Sequence, residues 1–253
     1  MTSATRPDRA FCAIGVMAKA PRAGASKTRL VPPLEPDEAA TLSAAFIRDI
    51  AANIEAAQRE EDIAGYAVYT PLDGEAALRE ILPADFGLIA PQGNGLGEHL
   101  HDSAGKLIAM GHGAACLVNS DSPTLPTAIL VEAVRRLRLP GERVVLGPAA
   151  DGGYYLIGLT RARHRLFEEI DWGSARVFDQ TVERARELSL PVEVLPRWYD
   201  VDDLPTLELL TRELLGDASA HEYAGGFAAP HTRQFLDSIG AARDLRSRSS
   251  SLP

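Results

Sequence analysis

Six apolar runs of strand length punctuate the chain: FCAIGVMA, GYAVYT, FGLIA, ACLVNS, RVVLGP and YYLIGL. Between most of them, apolar residues recur at three- and four-residue spacing, the period of a helix with one buried face. Strands alternating with helices predict a largely parallel sheet covered on both sides. The longest helical pattern runs through EAATLSAAFIRDIAANIEAAQRE, where Leu42, Phe46, Ile50 and Ile54 form the buried stripe and Asp37 stands ready as its N-cap. Further helices are expected over 97–110, 126–137, 175–188 and 204–214. One place breaks the rhythm: in RVVLGPAADGGYYLIGL only a few residues separate two strand-like runs. No crossover helix fits there, so an antiparallel step in a mixed sheet is expected.

A chain of 253 residues suits one larger domain better than two independent cores. The expected organisation is a disordered N-terminus over 1–11, a single domain over 12–215, and a partly disordered C-terminal extension over 216–253. That extension is rich in Ala, Gly and Ser, with one short helix near TRQFLDSIGAARDL. The formal charge of -9 argues against a nucleic-acid or anionic-membrane surface, since a polyanion needs a broad positive face. No apolar stretch has the length or flanks of a signal peptide or membrane span, and a cytoplasmic protein is expected. Cys12 and Cys116 both fall within strand-like runs and are expected as buried free thiols; the scattered histidines suggest no zinc site.

In open sheets of this kind ligands gather at the carboxyl ends of strands, so the polar residues after each apolar run carry the candidate chemistry. After the first run come Lys19, Arg22, Lys27 and Arg29, four cations in eleven residues, with Gly24 allowing close backbone approach. This is a phosphate grip or, alternatively, a solvated basic loop. It is no Walker A loop, because Pro21 and Ser26 stand where that motif requires glycine. The fourth run ends in NSDSP, where Asp121 is placed either to hold a hard cation such as magnesium or manganese or to cap a turn. Asp151, Gly152 and Gly153 form a ligand-facing turn flanked by Tyr154 or Tyr155, or a plain hairpin. In WYDVDDLP, one of Asp200, Asp202 and Asp203 caps the next helix, and another is a candidate second carboxylate for the metal of Asp121. Gln92, Gly95 and Gly97 lie in a Gly-rich loop suited to closing over a base; Glu98 replaces the last glycine of a dinucleotide fingerprint. Trp172 suits core packing more than an acceptor wall, and Asp171 and Ser174 are expected to cap the helix that follows.

Taken in order, KAPRAGASKTRL, QGNGLGEHL, NSDSPTLP, GPAADGGYYLIGL, DWGSARVFDQTVERA and WYDVDDLPTLELL resemble a bacterial family of the DUF2064 type. That family is glycosyltransferase-like, is associated with arsenosugar biosynthesis, and sits within the nucleotide-diphospho-sugar transferase superfamily. The motifs are also similar, more distantly, to those of 2-phospholactate and molybdenum-cofactor guanylyltransferases. The resemblance spans residues 12–215 and implies a glycosyltransferase-A-like, Rossmann-like α/β/α sandwich with a mixed, mainly parallel sheet. It implies that Lys19, Arg22, Gly24, Lys27 and Arg29 grip nucleotide phosphates, that Gln92 to Gly97 face the base, and that Asp121 holds metal beside the segment from Asp200 to Asp202. The threonine that commonly follows glycine in sugar-nucleotide pyrophosphorylases is absent, so base identity is not implied.

Together these features predict a metal-dependent transferase in which Lys19, Lys27, Arg29 and Asp121 are catalytic and Asp151, Gly152, Gly153 and Tyr155 meet the acceptor. Nucleotidyl transfer from a nucleoside triphosphate to a small phosphorylated acceptor, with pyrophosphate release, leads; the partners expected are a nucleotide or nucleotide-sugar and a small phosphorylated or sugar acceptor. Glycosyl transfer from a nucleotide-sugar and a non-catalytic nucleotide-binding module are the alternatives. A triphosphate demands more positive charge than a diphosphate, and the first loop is rich in cations.

Overall fold

The computed structural model describes residues 11–216, 223 and 225–249, with side chains to residue 240. The expected disorder at the N-terminus and at the end of the tail lies outside the described residues.

Seven strands form one sheet: β1 (Cys12–Lys19), β2 (Ile63–Thr70), β3 (Gly87–Ile89), β4 (Ala114–Asn119), β5 (Val144–Pro148), β6 (Tyr154–Leu159) and β7 (Val192–Val194). Their spatial order is β3-β2-β1-β4-β6-β5-β7. All described pairings are parallel except those of β6, which runs against both β4 and β5. The antiparallel step expected from the short β5–β6 link is therefore present. Strand β7 has no counterpart among the expected runs, because three residues are too few for a periodicity signal.

The helices are α1 (Pro36–Ala57), α2 (Glu75–Arg79), α3 (Leu96–Ala109), α4 (Thr127–Leu137), α5 (Val177–Glu187), α6 (Leu204–Leu215) and α7 (Pro230–Ser249). Alternate strand residues feed two cores. Cys12, Ile14 and Val16 join Cys116 and Val118 beneath α1, α4, α6 and α7. Ala13, Ala115, Leu117, Val144 and Leu146 join Leu100, Leu107 and Ala185 beneath α3 and α5. This division is the period-two consequence of a pleated strand covered on both faces. Cys12 and Cys116 are buried free thiols, with their Sγ atoms 3.8 Å apart.

Leu42, Phe46, Ile50 and Ile54 are fully buried along α1, as expected. The cap is different: Glu35 holds the N-cap position, Pro36 opens the helix, and Glu38 reaches back to the Glu35 N–H at 2.9 Å. Asp37 lies one position inside the first turn, where a carboxylate favours the positive end of the helix dipole. The buried face of α1 also carries Asp49 and Asn53, each at 0% exposure. Asp49 accepts the N–H groups of His231 and Thr232 at 3.0 and 2.8 Å, satisfying open donors at the start of α7. Asn53 donates to the Leu125 carbonyl at 2.6 Å and accepts from the Thr127 hydroxyl at 2.6 Å. These bonds fix the segment that follows Asp121, so α1 supports the carboxyl edge of the sheet as well as its core.

Candidate active site

Two cavities open along the carboxyl edge of the central strands. The first, of about 410 Å³, is lined by Lys19, Ser26, Lys27, Arg29, Asp121 and Asp202, among others. Lys27 stands at its centre. Its backbone is left-handed (φ 46°, ψ 41°), which turns the chain sharply into the short helical turn Thr28–Leu30. Its Nζ lies 2.8 Å from Asp121 Oδ1, 3.0 Å from Asp202 Oδ1 and 2.7 Å from the Val201 carbonyl. The ammonium also sits 5.4 Å from the centre of the Phe46 ring. Only 7% of the Lys27 side chain is exposed, against 35% and 42% for the two carboxylates. Burial opposes its charge, but the Asp121 and Asp202 carboxylates outweigh that effect and its pKa is raised.

Backbone contacts explain how residues so distant in sequence meet. The Trp198 N–H donates to Pro148 O at 3.1 Å and the Val201 N–H to Asp121 O at 2.8 Å. The chain leaving β7 is thus laced across the ends of β5 and β4, and Asp202 arrives beside Asp121. Asp203 then caps α6, accepting the Thr206 N–H at 3.0 Å. Of the three acids in DVDD, Asp203 is the cap, Asp202 joins Lys27, and Asp200 faces elsewhere.

Lys19 ends β1 with its Nζ 2.7 Å from the Ala25 carbonyl, and it lines the cavity from an exposed position with Arg29. Arg22 departs from expectation: its guanidinium turns away to Asp73 Oδ1 at 2.7 Å and lowers the Asp73 pKa. Gly24 supplies a positive φ of 71° for the turn, and the Ser26 hydroxyl accepts the Arg22 N–H at 3.0 Å.

The second cavity, of about 180 Å³, is lined by Asn119, Asp151, Gly153, Tyr154, Trp172 and Asp200, among others. Burial raises the Asp200 pKa to about 7, reinforced by Asp151, Asp202 and Asp121. Asp151 Oδ1 accepts the Gly153 N–H at 2.8 Å and closes the hairpin turn. Tyr155 does not face this cavity. It is 1% exposed, and its hydroxyl donates to the Pro196 carbonyl at 2.7 Å, because side chains alternate along β6 and only Tyr154 points the other way. Gly152 leaves no bare backbone for a ligand either: a Cβ there would meet Ala175 O at 2.3 Å.

The Gly-rich loop is likewise occupied by the protein itself. A Cβ on Gly97 would meet Trp172 Nε1 at 2.8 Å, so Gly97 lets the indole approach. Gln92 is exposed and its N–H donates to Asp102, while Gly95 begins α3 with a φ of 86°. Neither Gln92 nor Gly95 lines either cavity. Trp172 packs edge-on against Tyr154 at 6.3 Å and also lines the second cavity, a role that packing statistics alone would not select. Asp171 pairs with the Arg176 guanidinium and Ser174 accepts the Arg176 N–H; Arg176 itself is the N-cap of α5.

Two hard oxygen donors suit a divalent cation. Lys27 meets Asp121 and Asp202 each through Oδ1, and both carboxylates are partly exposed to the cavity. Among the described residues there is no group of three or more His, Cys, Asp and Glu side chains able to hold an ion. A pair of carboxylates is nonetheless the number magnesium uses when phosphates and water complete its shell.

Comparison with known proteins agrees with this architecture. The family model described as "Uncharacterized protein conserved in bacteria (DUF2064)" matches residues 53–174. A structure from Desulfovibrio desulfuricans G20, provisionally described as a nucleotide-diphospho-sugar transferase, superimposes with a TM-score of 0.74 at 30% identity, covering 89% of this chain and 98% of that one. A 4-diphosphocytidyl-2C-methyl-D-erythritol synthase from Anaerococcus prevotii DSM 20548 shares the fold at a TM-score of 0.53 and 9% identity, covering 82% of this chain and 97% of that one. A cytidylyltransferase from Leptospira borgpetersenii serovar Hardjo-bovis does so at 0.50 and 11%, covering 96% of this chain and 98% of that one. No curated protein matches the chain significantly. No described helix is long and apolar enough to cross a membrane.

Proposed function

The chain belongs to the DUF2064 family, transferases of the nucleotide-diphospho-sugar transferase superfamily, and from that premise we propose that it catalyses metal-dependent nucleotidyl transfer from a nucleoside triphosphate to a small acceptor. The observation that carries this reading is the meeting of Lys27 with Asp121 and Asp202 in a cavity rimmed by Lys19 and Arg29. Positive charge and paired carboxylates at one strand edge suit a nucleotide's phosphates and their counter-ion.

In this mechanism the triphosphate lies along the first loop, with its α-phosphorus toward Asp121 and Asp202. An oxygen of the acceptor attacks that phosphorus in line, its new P–O bond forming as the bond to pyrophosphate breaks, and a hydroxyl acceptor gives up its proton to solvent. Lys19, Lys27 and Arg29 stabilise the charge that develops on the leaving group. Magnesium or manganese held by Asp121 and Asp202, when bound, supplies electrophilic charge at the reacting phosphate. The phosphates compete with the carboxylates for Lys27, so nucleotide entry loosens the resident ion pair and exposes more carboxylate oxygen. No protein nucleophile is needed.

The test offers nucleoside triphosphates and nucleotide-sugars with small acceptors and records which product leaves. Pyrophosphate release that depends on divalent metal is expected. Release of a nucleoside diphosphate from a nucleotide-sugar would assign glycosyl transfer instead. Nucleotide binding indifferent to magnesium, with no turnover, would make the protein a non-catalytic module.

A further inference from the structure

Resting on the proposed transfer reaction, we infer that the second cavity takes an uncharged, hydroxyl-rich acceptor of the sugar or polyol class, and that Asp151 and Trp172 discriminate against phosphorylated acceptors. Three observations carry this. The cavity between Asp151 and Asp200 is lined by no lysine, arginine or histidine among the described residues. Arg197 borders the adjoining hollow, where it donates to the Ala150 carbonyl, and Arg176 is held by Asp171, so neither lines this cavity. A phosphate placed there would meet the acidic side chains of Asp151 and Asp200 with no cation in the lining of the cavity among the described residues.

The remaining lining suits hydroxyl groups. Asn119 lines the cavity and its Oδ1 is buried without a hydrogen-bond partner, an unmet acceptor in the cavity wall. Asp151 and Asp200 add carboxylate acceptors, and Asp151 spends one oxygen on the Gly153 N–H at 2.8 Å. Trp172, steadied edge-on by Tyr154, offers an apolar wall for the C–H face of a ring. Lys19, Lys27 and Arg29 line the first cavity, where the proposed reaction places the nucleotide. The edge of the sheet is thereby divided into an anion-binding half and a hydroxyl-binding half.

The experiment uses the full chain saturated with CTP or GTP and magnesium, with nucleotide affinity measured first and separately. Glucose, mannose, ribose and myo-inositol are then titrated against their own monophosphates, followed by ligand-observed NMR and by tryptophan emission. Trp172 and the buried Trp198 are the two tryptophans of the chain, so Trp172→Phe identifies the source of any signal. At least one neutral compound is expected to bind about tenfold more tightly than its monophosphate, a preference of the size that one or two facing charges produce. Asp151→Asn keeps the oxygen that closes the hairpin and should narrow the gap to about threefold or less. A monophosphate that binds as tightly as its parent, or the absence of any neutral binder, overturns the inference; so does glucosamine binding about tenfold more tightly than glucose, which would indicate a cationic acceptor. Loss of nucleotide binding would instead undermine the proposed reaction, so the two failures are distinguishable.

Discussion

Asp202 and Asp200 stand two residues apart on one extended segment, yet they belong to opposite electrostatic regimes. Asp202 lies 3.0 Å from a buried ammonium that also holds Asp121. Asp200 turns into the neighbouring cavity, where Asp151 is its company and its pKa climbs to about 7. Residues two apart on a regular strand would share a face; this segment belongs to no strand and is tied at Val201 N–H to the Asp121 carbonyl, so the two side chains part. A carboxylate given burial and other carboxylates, as Asp200 is, holds its proton longer. The same sheet edge therefore offers one half lined by cations and another whose lining gives a phosphate no counter-charge.

Breaking the cationic half should have the largest effect. Lys27→Met removes the charge shared by Asp121 and Asp202, and turnover measured as pyrophosphate release should fall by about ten- to a thousandfold, the range seen for lost transition-state charge donors. Unchanged turnover would remove Lys27 from the mechanism. The same variant sharpens the comparison in a second way, because the ammonium and a divalent cation compete for the same pair of carboxylates. Manganese binding without nucleotide, followed by electron paramagnetic resonance, should tighten by about fivefold or more in Lys27→Met, while in the native chain nucleotide should strengthen it. Weaker manganese binding in the variant would refute the counter-ion role.

The acidic half is tested by pH in the presence of a chelator. Unfolded, Asp200 titrates in the ordinary carboxylate range; folded, it titrates at about 7. Between those values the folded state binds the extra proton, so its stabilising contribution is present at low pH and declines as pH rises through that window. Asp200→Asn should therefore raise Tm more at about pH 8 than at about pH 5. Equal gains at both would show that Asp200 does not titrate as described. The smallest effect concerns neither half directly. Asp203→Ala deletes the α6 cap and should cost about 1 kcal/mol, a fall in Tm of roughly 2–4 °C for a chain of this size. Full activity at permissive temperature would distinguish the cap from its neighbour Asp202.

Much of the fold was legible because its signals are local. Continuous apolar runs located β1 and β4, the helical period located the α1 stripe of Leu42, Phe46, Ile50 and Ile54, and the short link at Asp151 announced the antiparallel β6. Of the polar residues expected after β1 and β4, Lys19, Lys27, Arg29 and Asp121 line the first cavity together. The failures have equally physical causes. Arg22 sits in the same basic loop, but its long side chain found Asp73 on a neighbouring turn. Tyr155 differs from Tyr154 only in strand parity, and parity sent it into the core. Gly97 and Gly152 lack side chains to admit Trp172 and Ala175 rather than a substrate. Asp49 and Asn53 carried an overlooked signal, two polar residues four apart on an apolar helix face.

By itself the sequence determined which segments would be strands and helices, and which strand ends would carry cations or carboxylates. Both follow from neighbouring residues and the backbone periods they obey. Tertiary structure alone decided that Lys27 would lie between Asp121 and Asp202, and that Asp200 would face Asp151 instead. Those meetings depend on strand order and on the hydrogen bonds that lace the chain after β7 across the ends of β4 and β5. Electrostatic energy falls off with separation in space and is indifferent to separation along the chain, so the charge of each half could be fixed only once the sheet had brought those residues together.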